Sequence, residues 1–234
     1  MTDDLRQRLY EALAETFQNY TTYGARSSKK LLPLHRFMAG EIEKVWGPDY
    51  ETHYLGENQR EFKVEGKYYN KNVDIVTVRG GVAVFGLGIK FVTSNYSQNS
   101  NNYFENMMGE TANIQRVDVP YAQALFLRDP MPYFKKGGEL ARYEKISAHH
   151  LRKYVQLAFD QPHPHQPFAT CIHLVSVEET GHVKEAAFDY VTHGEAFTEL
   201  YDRHFSIEAL LQKVRDFKLV YEDTSSPNAF PWVR

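Results

Sequence analysis

Two apolar runs in the sequence each carry a single charge: Asp74 in VDIVTV (73–78) and Lys90 in VAVFGLGIKFV (82–92). A charge inside a segment that otherwise reads as core is costly to bury without a partner. Something is therefore expected to be bound where the two meet. Carboxylates are the hard oxygen ligands that Mg²⁺ prefers, and a lysine beside such an ion can hold a water or offset charge on a phosphoryl group. A polar run follows Lys90 at once. Its Ser94, Asn95, Tyr96, Gln98, Asn99, Asn101 and Asn102 offer uncharged hydrogen-bonding groups. Asn and Gln can pair with adenine edges, and Ser and Tyr reach phosphates, so these seven are candidate DNA contacts; the plainer reading is a solvated loop.

A competing constellation lies further on, where HPH supplies His163 and His165 and CIH supplies Cys171 and His173. Imidazole and thiolate are zinc ligands, but FATCIHLVSV reads as a core strand, which favours a packed cysteine and partly satisfied histidines.

The elements that must position these residues follow from periodicity. Leu5, Leu9, Leu13 and Phe17 recur at helical spacing and predict a helix over 2–20, and a second over 32–46 is entered through Pro33 and closed at Gly47–Pro48. The stretch from His53 to Asn70 reads as strand pieces and a turn, and 73–78 and 82–92 as a hairpin across Arg79–Gly81. A polar loop at 94–102, a helix over 103–116, a strand at 120–129 and a Pro- and Gly-broken loop follow. The remainder reads as a helix at 147–159, a strand at 168–179, terminal helices over 191–204 and 206–222, and a tail. The order predicts one α/β domain over 1–234, with a mixed sheet of four or five strands flanked by helices.

The chain has 234 residues, 42% hydrophobic and 24% charged, and a net charge of −3, so any nucleic-acid surface must be local. Arg26, Lys29, Lys30, Lys135 and Lys136 are the basic residues available for phosphates. The lone Cys171 excludes an internal disulfide and fits a reducing compartment. No apolar run approaches the roughly 18 residues a membrane span requires, and MTDDLRQRLYEAL is no signal peptide, so the expected setting is cytoplasmic, away from membranes.

A helix bearing acids, a strand with Asp, a short turn, a strand ending in Lys, a helix and a further strand resembles the core of the restriction-endonuclease-like superfamily, the PD-(D/E)XK nucleases. The resemblance covers about residues 34–129. It implies Mg²⁺ as cofactor, Asp74 as metal ligand and Lys90 as the lysine of the acid-any-Lys triplet. The acid of that triplet is replaced by Gly88, and Val73 stands where the motif has Pro. By the same resemblance the missing carboxylate comes from the following helix, with Glu105 preferred over Glu110, and Glu41 and Glu43 on the earlier helix lie where family members place a further metal-binding acid. The implied activity is hydrolysis of double-stranded DNA by a type II restriction endonuclease, a homodimer with a partner methyltransferase, residues 130–234 serving dimerisation or DNA reading. The alternatives are a non-catalytic DNA-binding protein on the same fold and a zinc metalloprotein.

Overall fold

The computed structural model describes residues 1–24, 27–56, 61–178 and 180–224. Helix α1 (Asp3–Tyr23) is capped by the Thr2 hydroxyl and buries the predicted Leu5, Leu9, Leu13 and Phe17 stripe. Helix α2 (Leu32–Trp46) has Pro33 in its first turn and stops at Gly47, whose φ of 78° suits a residue without Cβ. Short strands β1 (Glu51–Tyr54), β2 (Phe62–Glu65) and β3 (Asn70–Val73) precede β4 (Ile75–Arg79) and β5 (Val82–Val92). The chain then crosses through α3 (Tyr96–Gln115) to β6 (Tyr121–Arg128). It continues with β7 (Met131–Phe134), β8 (Leu140–Glu144), α4 (Ala148–Ala158), β9 (Thr170–Val177) and β10 (Val183–Glu185). Two short helices, α5 (Tyr190–His193) and α6 (Glu195–Leu200), lead to α7 (Ile207–Asp223).

Six strands form one mixed sheet in the order β1-β4-β5-β6-β9-β10. β1, β4 and β5 are an antiparallel meander, β5, β6 and β9 run parallel, and β10 returns antiparallel. Alternate side chains of β5 divide between two cores. Phe85, Leu87 and Ile89 pack with Leu9, Met38, Trp46 and Val214 of α1, α2 and α7. On the other face Leu125, Leu127, Ile172 and Leu174 meet Met107 of α3 and Tyr154 of α4. Covering both faces suits the parallel centre of the sheet. Among the described residues no helix is long and apolar enough to cross a membrane.

Four expectations are corrected. The sheet has six strands, because edge strands too short to show periodicity, β1 and β10, add to the central four. The polar run 94–102 is a loop only to Asn95, which sits at φ 54°; from Tyr96 onward it is the start of α3. Burial explains this, since Tyr96, Ser100, Met107, Thr111 and Ile114 form a buried helical stripe that overrides the weak propensity of Asn and Ser. The loop after residue 129 contains the β7–β8 hairpin. The helix over 191–204 is broken at Gly194, whose φ is 88°. Arg26 and the tail from residue 225 lie outside the described residues.

One contact fixes the β2–β3 hairpin onto α3. Asn113 Oδ1 accepts from the backbone N–H groups of Tyr68 (2.8 Å) and Tyr69 (3.2 Å), and its Nδ2 donates to the Tyr69 carbonyl at 2.9 Å. A Cβ at Gly66 would lie 2.1 Å from Asn113 Nδ2, so only glycine allows this approach. Asn113→Ala is expected to cost about 2–3 kcal/mol in denaturant unfolding, three hydrogen bonds at about 1 kcal/mol each.

Candidate active site

Asp74 occupies the bend between β3 and β4. Ile75 pairs with Leu87, so Asp74 stands opposite Gly88, and the Ile89 N–H donates to Asp74 Oδ2 at 2.6 Å. Lys90, two residues beyond Gly88, lies on the same sheet face. Its Nζ donates to Glu110 Oε1 of α3 at 3.2 Å, and Lys71 of β3 donates to the same oxygen at 2.8 Å. The three side chains are 25%, 14% and 27% exposed for Lys90, Glu110 and Lys71. The second carboxylate oxygen of Glu110 is buried without a hydrogen-bond partner.

Electrostatics binds the cluster together. Burial pushes the Glu110 carboxyl up, but Lys90 and Lys71 outweigh it and hold it below the usual range. Burial lowers the Lys71 ammonium, while Glu110 and then Asp74 more than compensate, leaving it raised. Glu61, just before β2, is pushed up first by burial and second by the charge of Asp74. His35 of α2 is buried with neither ring nitrogen bonded; burial lowers its pKa and Asp74 opposes that.

Gly88 has no room for the acid of the expected triplet. An added Cβ would lie 2.4 Å from Tyr121 Oη and 2.8 Å from Gln123 Oε1, both reaching over from β6. Gln123 pairs with Gly88 in the parallel ladder and is fully buried; its amide is a hydrogen-bonding neighbour of the Tyr121 hydroxyl, and its Oε1 has no hydrogen-bond partner.

The two helix acids diverge. Glu110 reaches Lys90, whereas Glu105 is exposed and its electrostatic neighbour is Lys153. Five residues turn about 140° around a helix, so the two cannot serve one site. Glu41 is held toward α1 by Arg8 and also pairs with Lys44 of its own helix at 2.7 Å. Glu43 is exposed and lines an open groove with His53, Glu61 and Lys63.

Most of the polar run is engaged in packing. Asn95 exchanges hydrogen bonds with the Phe134 backbone (2.7 and 3.4 Å), Gln98 bonds Tyr133, Asn99 bonds the Asn95 carbonyl, and Asn101 accepts from Lys153. Tyr96 is buried against Tyr154, with hydroxyls 2.8 Å apart. Ser94 is half-buried and Asn102 exposed. Of the expected phosphate contacts, Lys29 and Lys30 lie over the Tyr23 and Tyr20 rings, and Lys135 pairs with Glu139 at 3.1 Å.

The zinc set is not assembled. His173 is buried between the Tyr10 and Tyr201 hydroxyls, at 2.8 and 3.3 Å, and Cys171 is buried beside it in β9. His163 is exposed in the loop before β9, its ring stacked on that of His165. Among the described residues no group of three or more His, Cys, Asp and Glu is disposed to hold a metal ion. What the cluster around Asp74 does offer is oxygen: two carboxylates and one amide carbonyl, with Glu110 Oε2 and Gln123 Oε1 buried and unbonded. Such donors fit Mg²⁺, which takes one or two carboxylates alongside waters.

Glu61, Lys71 and Gln123 escape a reading of the sequence. The first two sit in a polar stretch that carries no periodic signal. Gln123 has one, because it is a lone amide in the apolar run YAQALFL, as Asp74 is a lone acid in the run VDIVTV.

The chain matches no family model, no curated protein and no solved structure.

Two outcomes follow. Gly88→Asp, which restores the motif acid, is expected to destabilise the fold by about 1–3 kcal/mol in chemical denaturation, through overpacking against Tyr121 and Gln123. Glu61 has a raised carboxyl pKa in the folded protein. Its stabilising contribution is full below the unfolded glutamate pKa and lost as pH rises through the folded one. Glu61→Gln should therefore melt above wild type at neutral pH, with the gap closing as pH falls to about 4.

Proposed function

We propose that the chain is a divalent-metal-dependent endonuclease that hydrolyses phosphodiester bonds of double-stranded DNA, built on the restriction-endonuclease-like plan. The observation that carries this reading is the Lys90–Glu110 pair beside Asp74: an aspartate at the start of one strand, a lysine near the end of its antiparallel neighbour, and a glutamate from the next helix. The order of α2, the β1-β4-β5 meander, α3 and parallel β6 supports it as well. Glu110 takes the part first expected of Glu105. The narrower reading is a type II restriction enzyme acting as a homodimer alongside a methyltransferase.

Asp74 and Glu110 would hold Mg²⁺, with Glu110 presenting its unbonded oxygen. When bound, the ion polarises the phosphate and lowers the pKa of a ligated water. Asp74 is fixed by the Ile89 amide, which leaves its other oxygen for ligation. Lys90, positioned by Glu110, offers an N–H to the attacking water or to a non-bridging phosphate oxygen. Water adds to phosphorus, the bond to the 3′ oxygen breaks, and a proton from water passes to that oxygen, leaving a 3′-hydroxyl and a 5′-phosphate.

A second reading, a non-catalytic DNA-binding protein on the same fold, is favoured by one fact: Glu110 is already neutralised by two lysines, with no acid at position 88. Incubation of the full chain with phage DNA and Mg²⁺ separates the two. The nuclease reading expects discrete fragments, abolished by EDTA and reduced roughly a hundredfold or more in Asp74→Ala, Lys90→Ala and Glu110→Ala, with Glu105→Ala near wild type. DNA binding without cleavage at high protein concentration supports the second reading.

A further inference from the structure

We propose that Gln123 is a functional ligand of the same site, its amide oxygen supplying the neutral donor that stands in for the acid absent at Gly88. The proposal rests on the divalent-metal reading above, and on three observations independent of one another.

The first is position. Gln123 is the ladder partner of Gly88, and its Oε1 lies 2.8 Å from where a Cβ of residue 88 would be. A side chain rising from position 88 and the amide of Gln123 compete for one space, and here the amide holds it. The second is burial without satisfaction. Gln123 is completely buried, its amide a hydrogen-bonding neighbour of the Tyr121 hydroxyl, yet its oxygen has no hydrogen-bond partner. An unbonded polar atom in a protein interior costs on the order of 1–3 kcal/mol judged from mutational data, and nearly all buried polar groups have partners. A strand that needed only packing would be served better by Leu or Met at this place. The third is company: Glu110 Oε2 is another unbonded buried oxygen, and Asp74 stands across β5 from Gln123.

The chemistry is consistent with these facts. A carbonyl oxygen is a hard donor of the class that Mg²⁺, Mn²⁺ and Ca²⁺ accept. The same amide carries two N–H groups, which can donate to a ligated water or a phosphate oxygen while the carbonyl faces the cation. A neutral ligand also suits the local charge. Asp74, Glu61 and Glu110 already outnumber Lys71 and Lys90, and the Glu61 carboxyl, pushed up first by burial, is pushed up further by the charge of Asp74. A further carboxylate at position 88 would add to it.

The test is Mn²⁺ binding by the full-length protein, followed by titration calorimetry and by electron paramagnetic resonance of free Mn²⁺, with no DNA present. Wild type is expected to bind, Asp74→Asn to lose the site, and Gln123→Leu to bind about tenfold more weakly. Gln123→Glu, of nearly the same shape, is expected to bind at least as tightly as wild type and to gain more thermal stability from Mn²⁺. This variant also carries the test if Gln123→Leu fails to fold. Gln123→Leu and Gln123→Glu both matching wild type, while Asp74→Asn does not bind, overturns the role of Gln123 and leaves the metal site standing. Absence of Mn²⁺ binding by wild type overturns both.

Discussion

One carboxylate oxygen, Glu110 Oε1, receives ammonium groups from two directions, and the local architecture depends on it. Lys71 arrives from the β2–β3 hairpin and Lys90 from the centre of the main sheet, while the acid comes from the helix that crosses between β5 and β6. The pairings are largely shielded from water, so their strength is that of a partly buried network and not of surface ion pairs. Deleting the glutamate would leave two cations side by side with less solvent to screen them. The interaction therefore joins three elements that packing alone would hold less specifically. Asp74 adds a second attraction for Lys71, which brings the hairpin, the helix and both central strands to one point.

The same cluster shows why no acid stands at position 88, where the proposed triplet would have one. A side chain at position 88 is excluded by Tyr121 and Gln123, so negative charge has to enter from outside the hairpin. α3 supplies it at a residue flanked by the buried Met107, Thr111 and Ile114, at the margin between buried and exposed surface. There a carboxylate can keep one oxygen on the lysines while the other points inward.

Much of this was readable in the sequence, because the informative residues contradict their surroundings. Asp74 and Lys90 stand out as charges in apolar runs, and β4 and β5 begin and end within a residue or two of where alternation and glycine place them, although Asp74 itself falls in the bend just before β4. The choice between Glu105 and Glu110 was not readable. It depends on helical phase, and the phase is set by Tyr96, hidden in a polar run whose helix is held by tertiary burial. The Asn and Ser groups of that run are occupied by the β7–β8 hairpin and by Lys153 for the same reason. Lys71 belongs to a strand too short to have a pattern and Glu61 to the segment just before β2, and only the folded chain brings them to Asp74.

Asp74 is tethered by a main-chain group, the amide of Ile89, and not by another side chain. Every amino acid except proline carries that donor, so the tether survives almost any replacement at position 89. The neighbourhood of the acid can thus drift widely in composition while its carboxylate stays at one height on the sheet. A scaffold of this sort separates the orientation of its reactive group from the identity of the residues around it, leaving those residues free to be tuned for a different target.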